Sequence, residues 1–329
     1  MLPPRFVRRL VCTPLLFVLT LLVVVLFPVA FAVTSLAGRE RKRAQRLLWF
    51  SLTWGTRETA AVLECGWLWL RRRTHDDRHY DIIRRYVGAL YASAQRRLGL
   101  RVEVDGTWDG TGDGPGDGSA ADRPLIVLSR HAGPGDALLI VHHLLSEYRR
   151  RPRVVMKALL QLDPCIDIAA NRIPNVFVTP GGAADAVGEL AEGLGPGEAL
   201  LIFPEGGNFS PERRRRAIRR LARMRRADEA ARAAAMRNVM PPRPGGVLAA
   251  LDSAPSADVV FVAHCGLDHM ATAGDVWRRV PLTGPVRARW WRVPAEDVPG
   301  DRDARVSWLY ENWERADAWI SAQRAPAPK

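Results

Sequence analysis

Between Leu10 and Ala37 the chain carries no charged residue, and no other feature limits its fold as sharply. Wound as an α-helix at 1.5 Å per residue, the run reaches about 40 Å, longer than the roughly 30 Å hydrocarbon core of a bilayer. The sequence therefore predicts a membrane helix. A cleaved leader is the competing reading, because Arg5, Arg8 and Arg9 form a basic start and Ala30-Phe31-Ala32 resembles a cleavage site. The run is longer than an ordinary leader core, and Arg39, Arg41, Lys42, Arg43 and Arg46 follow at once. That favours a retained helix with the following domain on the cytoplasmic side. Pro28 can kink or break the helix, so a re-entrant hairpin stands beside a single crossing.

A second apolar segment, Leu47 to Leu70, is interrupted by Arg57, Glu58 and Glu64 and carries Trp49, Trp54, Trp67 and Trp69. Tryptophans of this kind suit a helix in the headgroup layer, and the same pattern suits an amphipathic helix packed on a globular domain. Residues 1–75 thus read as a membrane anchor, transmembrane over 10–37 and interfacial over 47–70. Residues 76–323 read as one globular domain, and 324–329, ending Ala-Pro-Ala-Pro-Lys, as a disordered tail. Asp76 to Leu98 opens the domain as an amphipathic helix, with Ile82, Ile83, Tyr86, Val87, Leu90 and Tyr91 on its apolar side.

The remainder alternates strand and helix. Apolar runs at Leu100–Val104, Leu125–Leu128, Arg153–Lys157, Asn175–Val178, Ala199–Phe203, Asp258–Ala263 and Val286–Val293 read as strands. Helical stretches follow at Ala137–Arg150, up to about Ala170, at Ala183–Leu194, at Pro211–Arg237 and at Asp303–Gln323. Such alternation predicts an α/β fold, a mixed sheet covered by helices, with the N-terminal membrane helix and second interfacial helix in front of it.

Two strand ends carry chemistry. Leu125-Ile126-Val127-Leu128-Ser129-Arg130-His131-Ala132-Gly133-Pro134-Gly135-Asp136 delivers a histidine and an aspartate into a glycine-rich turn, at the strand end where open α/β sheets bind ligands. A neutral imidazole can take a proton from an alcohol only if its other nitrogen is held as a donor, and a carboxylate facing that nitrogen does so. No nucleophilic side chain is then required. Roughly 70 residues later, Ala199-Leu200-Leu201-Ile202-Phe203-Pro204-Glu205-Gly206-Gly207-Asn208 again runs from an apolar strand into a polar glycine turn.

His131-x4-Asp136 followed by Phe203-Pro204-Glu205-Gly206 resembles the glycerophosphate and lysophospholipid acyltransferase family, the 1-acyl-sn-glycerol-3-phosphate acyltransferases among them. Pro241-Pro242-Arg243-Pro244-Gly245-Gly246 looks like that family's later proline-rich turn, and the likeness extends over about Leu125 to Trp319. The resemblance implies transfer of a fatty acyl group from acyl-CoA or acyl carrier protein to the hydroxyl of a lysophospholipid, foremost 1-acylglycerol-3-phosphate, with no cofactor. It makes His131 the base and Asp136 its orienter, and places Glu205, Gly206 and Asn208 in the acceptor site. The chain also departs from the family pattern. Arg130 stands where a small polar residue is usual, Gly207-Asn208 replaces Thr-Arg, and Val178 is followed by Thr179-Pro180 instead of an arginine. Lys157, Arg172 and Arg213 are the candidates to supply the missing phosphate-binding charge.

Lys and Arg number 48 against 35 Asp and Glu, a formal charge of +13, which implies an anionic partner: membrane lipid, phosphorylated substrate or nucleic acid. The arginines of Pro211–Arg237 lack interleaved aromatic residues for base stacking, so lipid headgroups fit them better than any specific nucleic acid. Asp109, Asp113 and Asp117 lack the calcium-loop spacing, and His264-Cys265 with Asp268-His269 lacks the paired cysteines of a zinc site, so no metal is expected. Ser129 sits outside any G-x-S-x-G elbow. The scattered cysteines Cys12, Cys65, Cys165 and Cys265 suit a reducing compartment. The alternatives to lysophospholipid acylation are acylation of another polar acceptor such as a glycolipid, and a non-catalytic membrane adaptor.

Overall fold

The computed structural model describes residues 2–36, 38–105, 123–133, 135–179, 183–268, 270 and 272–324. Most of the aspartate-glycine segment after Asp105, His269 of the His-Cys and Asp-His run, and the tail beyond 324 lie outside these residues. In chain order the elements are α1 (Arg5–Ser35), α2 (Arg41–Leu70), α3 (Arg78–Ser93), β1 (Val102–Val104), β2 (Leu125–Ser129), α4 (Asp136–Ser146), β3 (Arg151–Lys157), α5 (Pro164–Ala169), β4 (Asn175–Val178), α6 (Ala183–Ala191), β5 (Glu198–Ile202), α7 (Pro211–Arg223), α8 (Ala227–Ala235), α9 (Pro244–Ser253), β6 (Asp258–Cys265), α10 (Ala273–Arg279), β7 (Val286–Val293) and α11 (Arg302–Arg324).

The strands form one mixed sheet in the order β1-β7-β6-β2-β5-β3-β4. β6, β2, β5, β3 and β4 run parallel, and β7 turns antiparallel to β6 while pairing parallel with β1. The central strands are buried on both faces, which is why they read as continuous apolar runs without alternation. Ile126, Leu128, Leu200, Ile202, Val259 and Phe261 point to the face covered by α6, α7, α8, α9 and α11. Leu125, Val127, Leu201, Val260 and Val262 point to the opposite face, against Ile140 and Leu144 of α4. Outside α4 on that side lies a second cluster of α2, α3 and α5, built on Ala61, Val62, Cys65, Ile82, Tyr86, Val87 and Leu90.

The amino-terminal helices pair as a hairpin on this flank. α1 is long and apolar enough to cross a membrane, yet both ends of the hairpin are fastened to the same domain. At the start of α1, Arg8 and Arg9 grip the buried Asp167 of α5 at 2.6 and 2.8 Å. At the other end, Arg43 and Arg46 of α2 donate to the carbonyls of Val280 and Arg97 at 2.8 and 3.0 Å. Phe27 packs edge-on to Trp49 at 4.6 Å, and Thr20 bonds Thr59 midway along. The outer side of α1 is left bare, exposing Phe6, Leu10, Leu15, Leu22, Leu26 and Val33 along its length. α2 combines both readings of its sequence: Ala61, Val62, Cys65 and Leu68 are buried, while Trp67, Trp69 and Leu70 are exposed.

Two expected boundaries differ. The helix expected over Pro211–Arg237 is broken into α7 and α8, where Arg225 adopts a left-handed backbone (φ 58°). The proline-rich turn continues as α9, because Pro244 occupies the first turn of the helix, where its missing N–H is no loss.

Candidate active site

Parallel pairing of β2 with β5, in the register Leu125↔Ala199 to Leu128↔Ile202, brings the two motifs side by side at the carboxyl edge of the sheet. The loops are then tied directly, the Phe209 N–H donating to the His131 carbonyl at 2.7 Å. The ring of Phe203 lies 4.5 Å from the His131 ring and walls one side of it.

Asp136 is fully buried, and its carboxylate is held from several directions. Oδ2 accepts the Ala132 and Gly133 amides at 2.6 and 3.0 Å, and Oδ1 the Ala137 amide at 2.7 Å. Both oxygens lie 3.0 Å from His131 Nδ1. Burial alone would raise the Asp136 pKa, but the hydrogen bond from His131, the nearby imidazoles and the Gly133 amide outweigh it and hold the group below its ordinary value. An ionised carboxylate on Nδ1 makes that nitrogen the donor and leaves His131 Nε2 with its lone pair outward, the arrangement a general base needs. Gly133 makes the turn feasible, since a Cβ there would lie 2.8 Å from the Leu267 carbonyl oxygen.

A third group completes the dyad. His264, at the end of β6 beside β2, donates Nε2–H to the Arg130 carbonyl at 2.9 Å and sits 3.7 Å from Asp136 Oδ2. Burial lowers its pKa, so it stands neutral behind the carboxylate. The sequence drew attention to His264 only through a His-Cys and Asp-His run that lacks the paired cysteines of a zinc site. Among the described residues no cluster of three or more metal-ligating side chains exists. Nothing in the motif pattern marks His264; only the β2–β6 pairing does.

Arg130 explains one departure from the family pattern. It is fully buried, donates to the carbonyls of Asn238 and His264 at 2.7–3.1 Å, and forms an ion pair with Asp268. It is a strut beneath the His131–Asp136 turn.

Glu205 requires a correction. Expected to face the acceptor, it is 1 % exposed, with its carboxylate turned under the loop toward the His131 and Met240 amides and the Arg130 charge, and without a well-formed hydrogen bond to either oxygen. Burial pushes its pKa up to about 8 against the pull of Arg130. Glu205 lies in the turn closed by the Gly206 N–H on the Phe203 carbonyl, just beyond the buried end of β5, and the turn folds its carboxyl inward.

Arg172 is likewise displaced from its expected role. Its guanidinium is buried and bonds the Cys65 carbonyl of α2 at 2.5 Å and His79 Nε2 of α3 at 3.1 Å. It clamps the anchor helices to the domain and does not reach the loops. Lys157 and Arg213, by contrast, converge on the second motif. A Cβ at Gly207 would stand 3.2 Å from Lys157 Nζ and 3.3 Å from Arg213 Nη1. Arg243, not singled out from the sequence as a site residue, packs its guanidinium over Gly206, where a Cβ would meet it at 2.9 Å. The Arg243 N–H also donates to the Pro204 carbonyl at 2.9 Å. Gly206 adopts φ 67°, open to glycine at little strain, and so lets the guanidinium approach the backbone. Asn208 contributes its carbonyl, which accepts from Arg213 Nη1 at 3.3 Å. Burial first, then the charges of Arg213 and Arg243, lowers the Lys157 pKa, and burial with Arg220 nearby lowers that of Arg243. Three cations gathered round two glycines repel one another, and an anion placed among them would relieve that repulsion.

Residues 116–264 match the family model described as Acyltransferase. Among curated proteins no relative matches in sequence. Among solved structures, the fold is similar to the crystal structure of the 1-acyl-sn-glycerophosphate (LPA) acyltransferase PlsC from Thermotoga maritima. The two are 18% identical, with a TM-score of 0.54, covering 87% of this chain and 100% of that one.

Proposed function

We propose that this chain, whose residues 116–264 match the family model described as Acyltransferase, is an acyltransferase that transfers a fatty acyl group from a thioester to the free hydroxyl of a phosphate-bearing lysophospholipid such as 1-acylglycerol-3-phosphate. The observation that carries the reading is the His131–Asp136 dyad on the loop after β2, joined to the loop after β5 around whose glycines Lys157, Arg213 and Arg243 gather.

The acceptor phosphate lies among the three cations, with an arginine able to grip it through two N–H groups at once. Its hydroxyl then reaches His131 Nε2, which takes the proton as the oxygen attacks the thioester carbonyl. Asp136 stabilises the imidazolium through Nδ1–H. Collapse of the tetrahedral intermediate forms the ester, breaks the C–S bond, and returns the proton from His131 to the departing sulfur. Glu205 and Arg130 hold the loops from beneath. The α1–α2 hairpin, bare along one side and fastened to the domain at both ends, lies in one leaflet without crossing, so that acceptor and site share the same membrane face. The domain it carries works on the cytoplasmic side, where acyl thioesters are made.

The test is turnover of a labelled acyl thioester with a panel of lysolipids by full-length protein in detergent micelles. His131→Ala should lower turnover by on the order of 10²- to 10⁴-fold while leaving thermal stability unchanged. An active His131→Ala protein refutes the mechanism, and equal use of acceptors with and without a phosphomonoester refutes the acceptor class.

A further inference from the structure

α7 begins at Pro211, two residues after Phe209, whose N–H is bonded to the His131 carbonyl, so the helix starts at the lip of the active site. Ser210 caps it, its hydroxyl accepting the Arg213 N–H at 3.2 Å. Leu221 and Ile218 fasten its inner side to the core. Its outer side is almost wholly arginine. Arg215, Arg216, Arg219, Arg220, Arg223 and, just beyond the helix, Arg225 are exposed, and among the described residues none of these guanidiniums has a hydrogen bond or ion pair. Arg216, Arg219, Arg220 and Arg223 fall at i, i+3, i+4 and i+7 and make one stripe. Thirteen residues at 1.5 Å each give it about 20 Å.

Self-repulsion along such a stripe is unfavourable without an anionic partner, and two partners compete for it: a membrane surface and an acidic protein. The sheet decides between them. α7 is anchored to the face shared by Ile126, Leu128, Leu200 and Ile202, whereas the apolar hairpin lies beyond α4 on the opposite face. The arginines therefore point away from the flank that carries the bare apolar helix. The stripe is also longer than a few phosphates require, and it leads to the catalytic histidine.

We infer that α7 is the docking surface for an acidic acyl carrier protein, which seats along the arginines and delivers its tethered thioester to His131. This rests on the acyl transfer proposed above and names its donor.

The experiment uses full-length protein in detergent micelles and fluorescently labelled acyl carrier protein bearing a palmitoyl group, with binding read by anisotropy. Arg216→Glu combined with Arg219→Glu and Arg223→Glu should weaken binding by at least about 30-fold and flatten its salt dependence. Turnover of palmitoyl-CoA by the same variant should stay within about threefold of wild type, which also reports that it is folded. Should the triple variant not fold, raising salt from 50 to 500 mM with the wild-type protein should abolish carrier binding. Binding indifferent to charge reversal or to salt overturns the inference. So does a parallel loss with both donors, or a variant that loses only its binding to phosphatidylglycerol vesicles. Carrier binding that depends on the arginines without any acyl transfer would instead fault the proposed reaction and leave the docking surface standing.

Discussion

Glu205 offers a measurement in which sign and size both follow from its position. Its ordinary pKa is 4.5 and burial raises it to about 8 in the folded protein. Between those values the folded state holds a proton that the unfolded state has released, so stability is full at low pH and is lost as pH rises through the folded value. Each unit is worth about 1.4 kcal/mol, so the loss between pH 5.5 and 8 is about 3 kcal/mol. Glu205→Gln replaces the protonated carboxyl with a neutral group of similar shape and removes this slope. The assay is thermal unfolding of full-length protein in detergent, followed by tryptophan fluorescence from pH 5.5 to 8.5, with the variant as reference for every other titrating group. At about 2–4 °C per kcal/mol for a domain of this size, the wild-type Tm should fall relative to the variant by roughly 6–12 °C across that range. Parallel Tm curves would show that Glu205 is ionised at neutral pH, and would return it to the loop surface as an acceptor-facing carboxylate.

Other positions separate chemistry from scaffold. Asp136→Asn presents an amide where Nδ1 needs an acceptor of fixed sense, and should reduce turnover by on the order of 10²- to 10⁴-fold without altering affinity for the acceptor, checked by steady-state kinetics. Arg243→Ala should raise KM for a phosphate-bearing acceptor about tenfold or more while leaving KM for acyl-CoA within about twofold; equal shifts would place Arg243 in the scaffold. Arg130→Met strands two buried carbonyls and leaves Asp268 to Arg324 and the Gly266 N–H, so it should destabilise the domain by about 2–3 kcal/mol in chemical denaturation. Arg172→Ala should lower stability by about 2 kcal/mol through the lost bonds to Cys65 and His79, with both KM values unchanged.

The central strands were legible because a sheet buried on both faces leaves unbroken apolar runs, as in Leu125–Ser129 and Asp258–Cys265. His131 and Asp136 were legible for a related reason: each loop begins where an apolar run ends, and its spacing lets the carboxylate turn back onto the ring. Strand order and direction were not, since β7 carries no local mark of running against β6. Buried charge was the larger difficulty. Arg130, Glu205 and Arg172 look from sequence like exposed charged groups, and each lies inward against a group remote in the chain: Asp268 for Arg130, the Arg130 charge for Glu205, the Cys65 carbonyl for Arg172. The same remoteness hid Arg243, which reaches Gly206 only because β5 and the start of α9 meet in space.

The departures from the family pattern become one arrangement when taken together. A threonine at 207 would place its Cβ 3.2 Å from Lys157 Nζ and 3.3 Å from Arg213 Nη1, so the glycine there gives both cations their room. Gly206 admits the Arg243 guanidinium against the backbone in the same way. In the proposed acceptor site the positive charge usual at the position of Asn208 and after Val178 would come from Lys157 of β3, Arg213 of α7 and Arg243 of the turn before α9. Gly207→Thr is the decisive substitution. It adds the family's usual residue but crowds Lys157 and Arg213 apart, so it should raise KM for the phosphate-bearing acceptor and leave His131-dependent turnover of bound acceptor intact. If Gly207→Thr instead improved acceptor binding, the cations would not be assembled around the glycine pair, and the phosphate would have to lie elsewhere.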